Sequence, residues 1–300
     1  MEFRVLRYFL TVAREGSITG AANSLHLTQP TLSRQLQDLE RELGQKLLIR
    51  GKYKVSLTPE GMMLRKRAQE IVEMVEKTEA EFNSIKDTVG GDIYIGCGET
   101  DSMRYIAEVM KELQSEYPDI KFHIYSGNAE DVTEKLDKGL LDFGILIQPI
   151  DLSKYDYITM PQKDVWGVIM RKDSPLSTKK FVQLQDLLGV PLLASRQMSK
   201  KYSADSGFLD WFGDEFDNLN IAATYNLVYN AAIMVEAGMG YAVTLDKLVK
   251  TTGTSDLCFR PLSPKLESGL DIVWKKYQVF SPPAKLFLEK LQQKFNTDNV

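Results

Sequence analysis

Residues 17–50, SITGAANSLHLTQPTLSRQLQDLERELGQKLLIR, read as two short helices joined by a tight turn. Ser17 is placed to cap the first helix, and Ile18, Ala21, Ala22 and Leu25 follow at helical spacing. Thr28 or Gln29 caps the second, with Pro30 in its first turn, where a missing N–H costs nothing. Leu32, Leu36, Leu39 and Leu43 form one apolar stripe along that second helix. Arg34 lies almost opposite the stripe, with Thr31, Gln37, Asp38 and Arg41 around it. The helix therefore buries leucines and turns amide, hydroxyl and guanidinium groups outward. Arg and Gln side chains can reach two base-edge atoms at once in a major groove, as a helix-turn-helix recognition helix does.

Any amphipathic helix pair has a polar outer face, so the reading needs its neighbours. The Ala21-Ala22 pair permits a close helix crossing, and Gly44 is suited to end the second helix. Residues 46–50 and 55–57 then read as two short strands around the basic tip Gly51-Lys52-Tyr53-Lys54, which is the pattern of a wing. The candidate DNA contacts are Ser17, Thr28, Gln29, Pro30, Thr31, Ser33, Arg34, Gln37, Arg50, Lys52 and Lys54. Arg34 is the strongest candidate for reading bases, while Arg50, Lys52 and Lys54 suit phosphates.

The stretch resembles the N-terminal domain of LysR-type transcriptional regulators. The matching residues are Ser17, Ala21-Ala22, Leu25, Thr28-Gln29-Pro30, Ser33, Leu39-Glu40, Leu43-Gly44, Leu47, Arg50 and Leu57-Thr58-Pro59-Glu60-Gly61, with the spacing kept throughout. Leu48 stands where the family usually has Phe. The length and the C-terminal organisation agree too, so the resemblance covers the whole chain. It implies a homo-oligomer that binds DNA under the control of a small molecule.

Charge divides the chain in the same way. Residues 1–67 hold 12 Lys and Arg against 6 Asp and Glu, and the remainder holds 25 against 35. A basic head on an acidic body points to one nucleic-acid surface at the N-terminus. Cys97 and Cys258 form no metal or redox spacing and read as free thiols. The apolar residues of the first fifteen suit a packed helix rather than a signal peptide, and no stretch reaches the length of a membrane span, so a cytoplasmic protein is expected. No cofactor or metal is expected. An enzyme is disfavoured because His26 and His123 lie near no candidate nucleophile, and no phosphate-binding loop or nucleophile elbow occurs.

Thr58-Pro59 opens a long helix over residues 58–90. Leu64, Ala68, Ile71, Val75, Thr78, Phe82, Ile85 and Val89 follow at alternating steps of four and three, a heptad seam. Leu64, Ala68, Ile71, Val75, Phe82 and Ile85 are the candidate dimerisation residues, and the resemblance likewise implies a dimerising linker helix. Two recognition helices would then read an inverted repeat.

Val89-Gly90-Gly91-Asp92 breaks the helix, and strands and helices alternate from there. The expected architecture is a winged helix-turn-helix over 1–57, the linker helix over 58–90, and an α/β effector-binding domain over 91–300. Its two lobes resemble periplasmic binding proteins and carry parallel sheets covered by helices. Lobe I is expected over about 91–162 and 268–300, and lobe II over about 163–267.

A ligand would sit beyond the carboxyl ends of the strands, in the cleft between the lobes. Loops there supply Thr100, Ser102, Asn128, Ser195, Arg196, Asn226 and Thr244 as candidate effector contacts, each of which could instead cap a helix or pair on the surface. The resemblance points to Thr100 and Ser102 in particular. Glu99 and Asp101 flank that loop, so a small dianion would be repelled unless Arg196 compensates; a neutral, aromatic or cationic effector fits better. The expected function is a regulator that binds double-stranded operator DNA in response to an effector, the alternative being a constitutive or architectural DNA-binding protein. Self-association as dimer or tetramer is expected, with RNA polymerase a further candidate partner.

Overall fold

The computed structural model describes residues 1–51, 54–83, 90–196 and 207–295. Lys52, Ile85, Val89 and Gln197 lie outside them. The chain divides into two compact units, Met1–Phe82 and Asn83–Val300.

The first unit begins with α1 (Phe3–Glu15), which ends at Gly16 in the left-handed conformation. Helix α2 (Ile18–Ser24) is capped by Ser17, whose hydroxyl accepts from the Gly20 N–H at 3.2 Å. After a turn with His26 at φ 54°, α3 (Gln29–Leu43) starts on the Thr28 cap and stops at Gly44, φ 65°. Phe9, Val12, Ala21, Ala22, Leu32, Leu36 and Leu39 close the core between the three helices. Burial of a side chain such as Phe9 or Leu36 contributes about 1.5–3 kcal/mol. Strands β1 (Leu48–Arg50) and β2 (Val55–Leu57) pair antiparallel as the wing, with Arg50 opposite Val55.

Helix α4 (Pro59–Asn83) follows, capped by Thr58, which accepts from the Gly61 N–H at 2.9 Å and donates to the Lys46 carbonyl at 2.7 Å. Gly61 is required here: a Cβ at that position would come within 2.2 Å of the Leu47 carbonyl oxygen. The expected seam along α4 divides in two. Leu64 packs against the core of the first unit and Ala68 is fully buried, whereas Ile71 and Phe82 are exposed, Phe82 at 72%. Periodicity alone does not separate a stripe that begins on its own domain from one that faces a partner throughout.

The second unit is built on one sheet in the order β4-β3-β5-β11-β6-β9-β7-β8, with β10 also on β6. Its first part holds β3 (Gly91–Cys97), α5 (Met103–Glu116), β4 (Ile120–Ser126), α6 (Ala129–Asp137) and β5 (Phe143–Ile147). Strand β6 (Tyr155–Arg171) leads into the second part, which contains α7 (Leu184–Leu187), β7 (Leu192–Ser195), α8 (Gly207–Phe212), β8 (Ile221–Tyr225), α9 (Val228–Glu236), β9 (Tyr241–Leu245) and β10 (Leu257–Pro261). Then β11 (Glu267–Lys275) and α10 (Pro282–Phe295) return, with β11 between β5 and β6.

Two corrections to the sequence reading arise. The sheet is mixed: β3 pairs parallel with β4 and β5, and β7 with β8 and β9, but β6 and β11 pair antiparallel with every neighbour. Further, β6 runs through the expected crossing without a break. Pro161 lies opposite a register shift between Gly269 and Asp271, the kind of irregularity at which a strand accommodates proline. From Tyr155 to Val165 the strand pairs with β11; from Trp166 onward it pairs with β9 and β10. Strand β10 went unread because it is short, carries Arg260, ends on a proline and pairs only with β6.

Candidate nucleic-acid interface and ligand cleft

In the first unit the exposed face of α3 carries Gln29, Pro30, Thr31, Arg34 and Gln37, with the leucine stripe turned inward. Ser33 is half-buried and accepts a hydrogen bond from Arg50 Nη1 at 3.0 Å, which joins the wing strand to the recognition helix. Ser17 and Thr28 serve as helix caps, so their hydroxyls are already engaged with the backbone. Lys54 is exposed at the tip of the wing, just before β2.

The sequence reading matched Glu40 without assigning it a task. It is buried, at 5% exposure, and its Oε1 accepts from the Leu47 and Leu48 N–H groups at 2.9 and 3.2 Å. Lys46 lies 3.4 Å from the other oxygen. Burial alone would raise this carboxyl, but the two backbone donors and Lys46 hold it below the usual glutamate range. Glu40 thus fixes the root of the wing to the end of α3. Nothing local in the sequence signals this, since Glu40 stands between Asp38 and the Arg41-Glu42 pair.

In the second unit two adjoining cavities open around the loop after β3. The inner one is narrow, a cavity of about 30 Å³ that opens into about 350 Å³ of atom-free space with its mouth, and is lined by Gly98, Glu99, Asn128, Trp166, Ser195, Tyr225, Asn226, Val228 and Thr244 among others. The outer one encloses about 750 Å³ and includes Thr100, Asp101, Arg104, Ser126 and Lys247. Of the expected contacts, Asn128, Ser195, Asn226 and Thr244 line the inner cavity and Thr100 the outer, while Ser102 and exposed Arg196 line neither. Asn128 also caps α6, accepting from the Asp131 N–H at 2.9 Å.

The hydroxyls of Thr100 and Ser102 both donate to Asp164 on β6, from Ser102 at 3.1 Å. Asp164 is 2% exposed; burial raises its carboxyl, the two hydroxyls work against that, and Asp246 and Asp101 add to it. Nearby, Lys247 lies 3.2 Å from Asp246 and 3.8 Å from Asp101. Glu99 reaches the other way, its Oε2 accepting from the Val228 N–H at the start of α9. The loop after β3 is therefore tied both to the strand that crosses between the lobes and to the lobe beyond. Burial, with Glu99 and Asp164 adding to it, pushes the Cys97 thiol up to about 12, so it stays protonated and a poor nucleophile. His123 stacks on Tyr94 and lies 2.7 Å from Asp92, away from the cavities.

Comparison with known proteins matches both units. Residues 3–62 fit the family model described as bacterial regulatory helix-turn-helix protein, lysR family, and residues 86–296 fit the LysR substrate binding domain. The Hca operon transcriptional activator HcaR of Escherichia coli (strain K12) is 29% identical over 298 residues, covering 98% of this chain and 98% of that one. The HTH-type transcriptional regulator BsdA of Bacillus subtilis (strain 168) is 32% identical over 228 residues, 74% of each chain. Among solved structures, full-length CbnR complexed with its target DNA aligns with a TM-score of 0.74 at 21% identity, over 98% of this chain and 99% of that one, a likeness of fold.

Proposed function

The chain belongs to the LysR family of bacterial transcriptional regulators, and from that membership we propose how its two units divide the work. It is a DNA-binding regulator with an effector-binding domain, and its family is one of regulators rather than enzymes. The finer reading is that α3 enters the major groove of an inverted-repeat operator and the wing follows the phosphates. Arg34 and Gln37 then meet base edges, with Gln29 and Thr31 at the start of the helix. The observation that carries this is the exposed polar face of α3, joined to the wing by the Arg50–Ser33 hydrogen bond. Lys54→Ala is expected to weaken binding to operator and random DNA alike and to lower the salt slope by about 1, measured by titration at several salt concentrations. A loss confined to operator DNA would assign Lys54 to base reading instead.

Self-association through the exposed part of α4 brings two recognition helices to one operator. No helix among the described residues is long and apolar enough to cross a membrane; as a DNA-binding regulator the protein belongs in the cytoplasm. CbnR has been solved as a full-length regulator on DNA, which supports a comparable assembly here. Phe82→Asp, at a position 72% exposed, is expected to shift the oligomer toward smaller species in sedimentation. An unchanged distribution would remove Phe82 from the interface. Whether the working form is a dimer or a tetramer, and whether RNA polymerase is engaged, is read from the same preparation on operator DNA.

The effector is a small molecule held in the inner cavity by Asn128, Ser195, Asn226 and Thr244, with Thr100 and Ser102 positioned through Asp164. A compound present at a hundred times its dissociation constant adds about 2.7 kcal/mol to stability, which a thermal-shift screen of the full chain detects. The absence of any stabilising compound across acids, amines and aromatics would favour the constitutive alternative.

A further inference from the structure

Helix α9 has no capping side chain of its own. Its N-cap residue is Leu227, and its first turn contains no acid. A helix start that lacks both leaves unpaired N–H donors and an uncompensated partial positive charge. Here the deficit is met from 129 residues away, across the cleft, by the carboxylate of Glu99 on the Val228 N–H. Glu99 is also the one charged side chain among the described residues lining the inner cavity, and it lines the outer cavity as well. It stands where the two spaces meet. Arg196, the cation expected to offset it, lines neither.

We propose that Glu99 is the specificity-determining residue of the cleft: its carboxylate takes the anion-accepting start of α9 and thereby excludes effectors that carry a carboxylate of their own. This rests on the reading of the cavity as the effector site. A free carboxylate entering the inner cavity meets an occupied helix end and a like charge, with no cation among the described residues that line it. A neutral or cationic effector meets neither obstacle, and a donor on it pairs with Glu99. The residue acts twice, as a tether between the lobes and as a filter on charge.

The test restores the missing group from solution. In the full-length chain, Glu99→Ala removes the carboxylate, and acetate is then expected to bind and raise the melting temperature saturably, with chloride at equal ionic strength as control. Acetate should bind the variant at least about tenfold more tightly than the wild type, the order set by the charge–dipole energy of a partly buried helix end. Glu99→Gln keeps an oxygen acceptor on Val228 without the charge, so it should gain less acetate affinity than Glu99→Ala, because the helix end stays occupied and only the like charge is gone. Equal acetate binding by wild type and Glu99→Ala overturns the assignment. So does an equal gain in Glu99→Gln, because occupancy of the helix end would then be irrelevant. If acetate fails to stabilise Glu99→Ala while a screened compound still binds the wild type, the role of Glu99 falls and the effector cleft stands. If acetate binds Glu99→Ala selectively while no screened compound binds the wild type, the role of Glu99 stands and the small-molecule reading falls.

Discussion

Glu40→Ala is expected to destabilise the DNA-binding unit by about 2–4 kcal/mol, because it strands two buried backbone donors at once. The Leu47 and Leu48 N–H groups have their acceptor in this one carboxylate, and Leu47 and Leu48 are themselves buried. No water-filled space is needed to see the cost: each donor loses a charge-assisted bond and gains nothing in return. Glu40→Gln should fall between, since it keeps an oxygen but gives up the charge and the Lys46 pairing. The pH dependence has a definite sign. The folded-state carboxyl lies below its usual range, so its stabilisation is complete above that range and is lost as the pH falls from there through the lower folded-state value. Thermal denaturation of the full chain near neutral pH and in mild acid checks both. The variant should show a lower first transition and a flatter acid dependence, and an unchanged first transition would show that the wing holds without the clamp. Operator binding should weaken alongside, because Arg50 and Lys54 depend on where the wing sits.

Arg34→Ala is expected to lower affinity for the operator by about 1–3 kcal/mol, about five- to a hundred-and-fiftyfold, and to relax preference at one base position. Arg34 is exposed on the polar face of α3, opposite the buried Leu32, Leu36 and Leu39, so its removal should leave the melting temperature unchanged. Binding-site selection from a random library separates its role from that of Lys54. A position that becomes degenerate in the Arg34→Ala pool identifies the base that is read. Equal losses on operator and random DNA would reassign Arg34 to the phosphates.

The head was legible because its logic is local. Caps, a proline, a leucine stripe and a left-handed glycine each act within a turn or two, and Ser17, Thr28, Thr58 and Gly44 stand where their chemistry requires. Glu40 was not legible, because its partners lie seven and eight residues away and are backbone groups without a sequence signature. The cleft shows the same limit at longer range. The loops that surround it could be found from the alternation of strands and helices. What Thr100 and Ser102 touch could not, because Asp164 lies 64 and 62 residues away and reads in sequence as part of a connection. Leu64 and Ala68 fit a heptad as well as Phe82 does, and only packing tells which of them already has neighbours.

Strand β6 changes partners between Val165 and Trp166 while its own backbone continues. Two bodies joined by a flexible cord can swing freely; two bodies sharing a hydrogen-bonded ribbon behave as the ends of a torsion bar. Rotation of one against the other has to be absorbed as twist over a few residues around Asp164, whose side chain is pinned to Thr100 and Ser102. Such a joint resists a wide gape and returns elastically from a small turn. Hydrogen exchange at residues 160–166 is where such a twist would register.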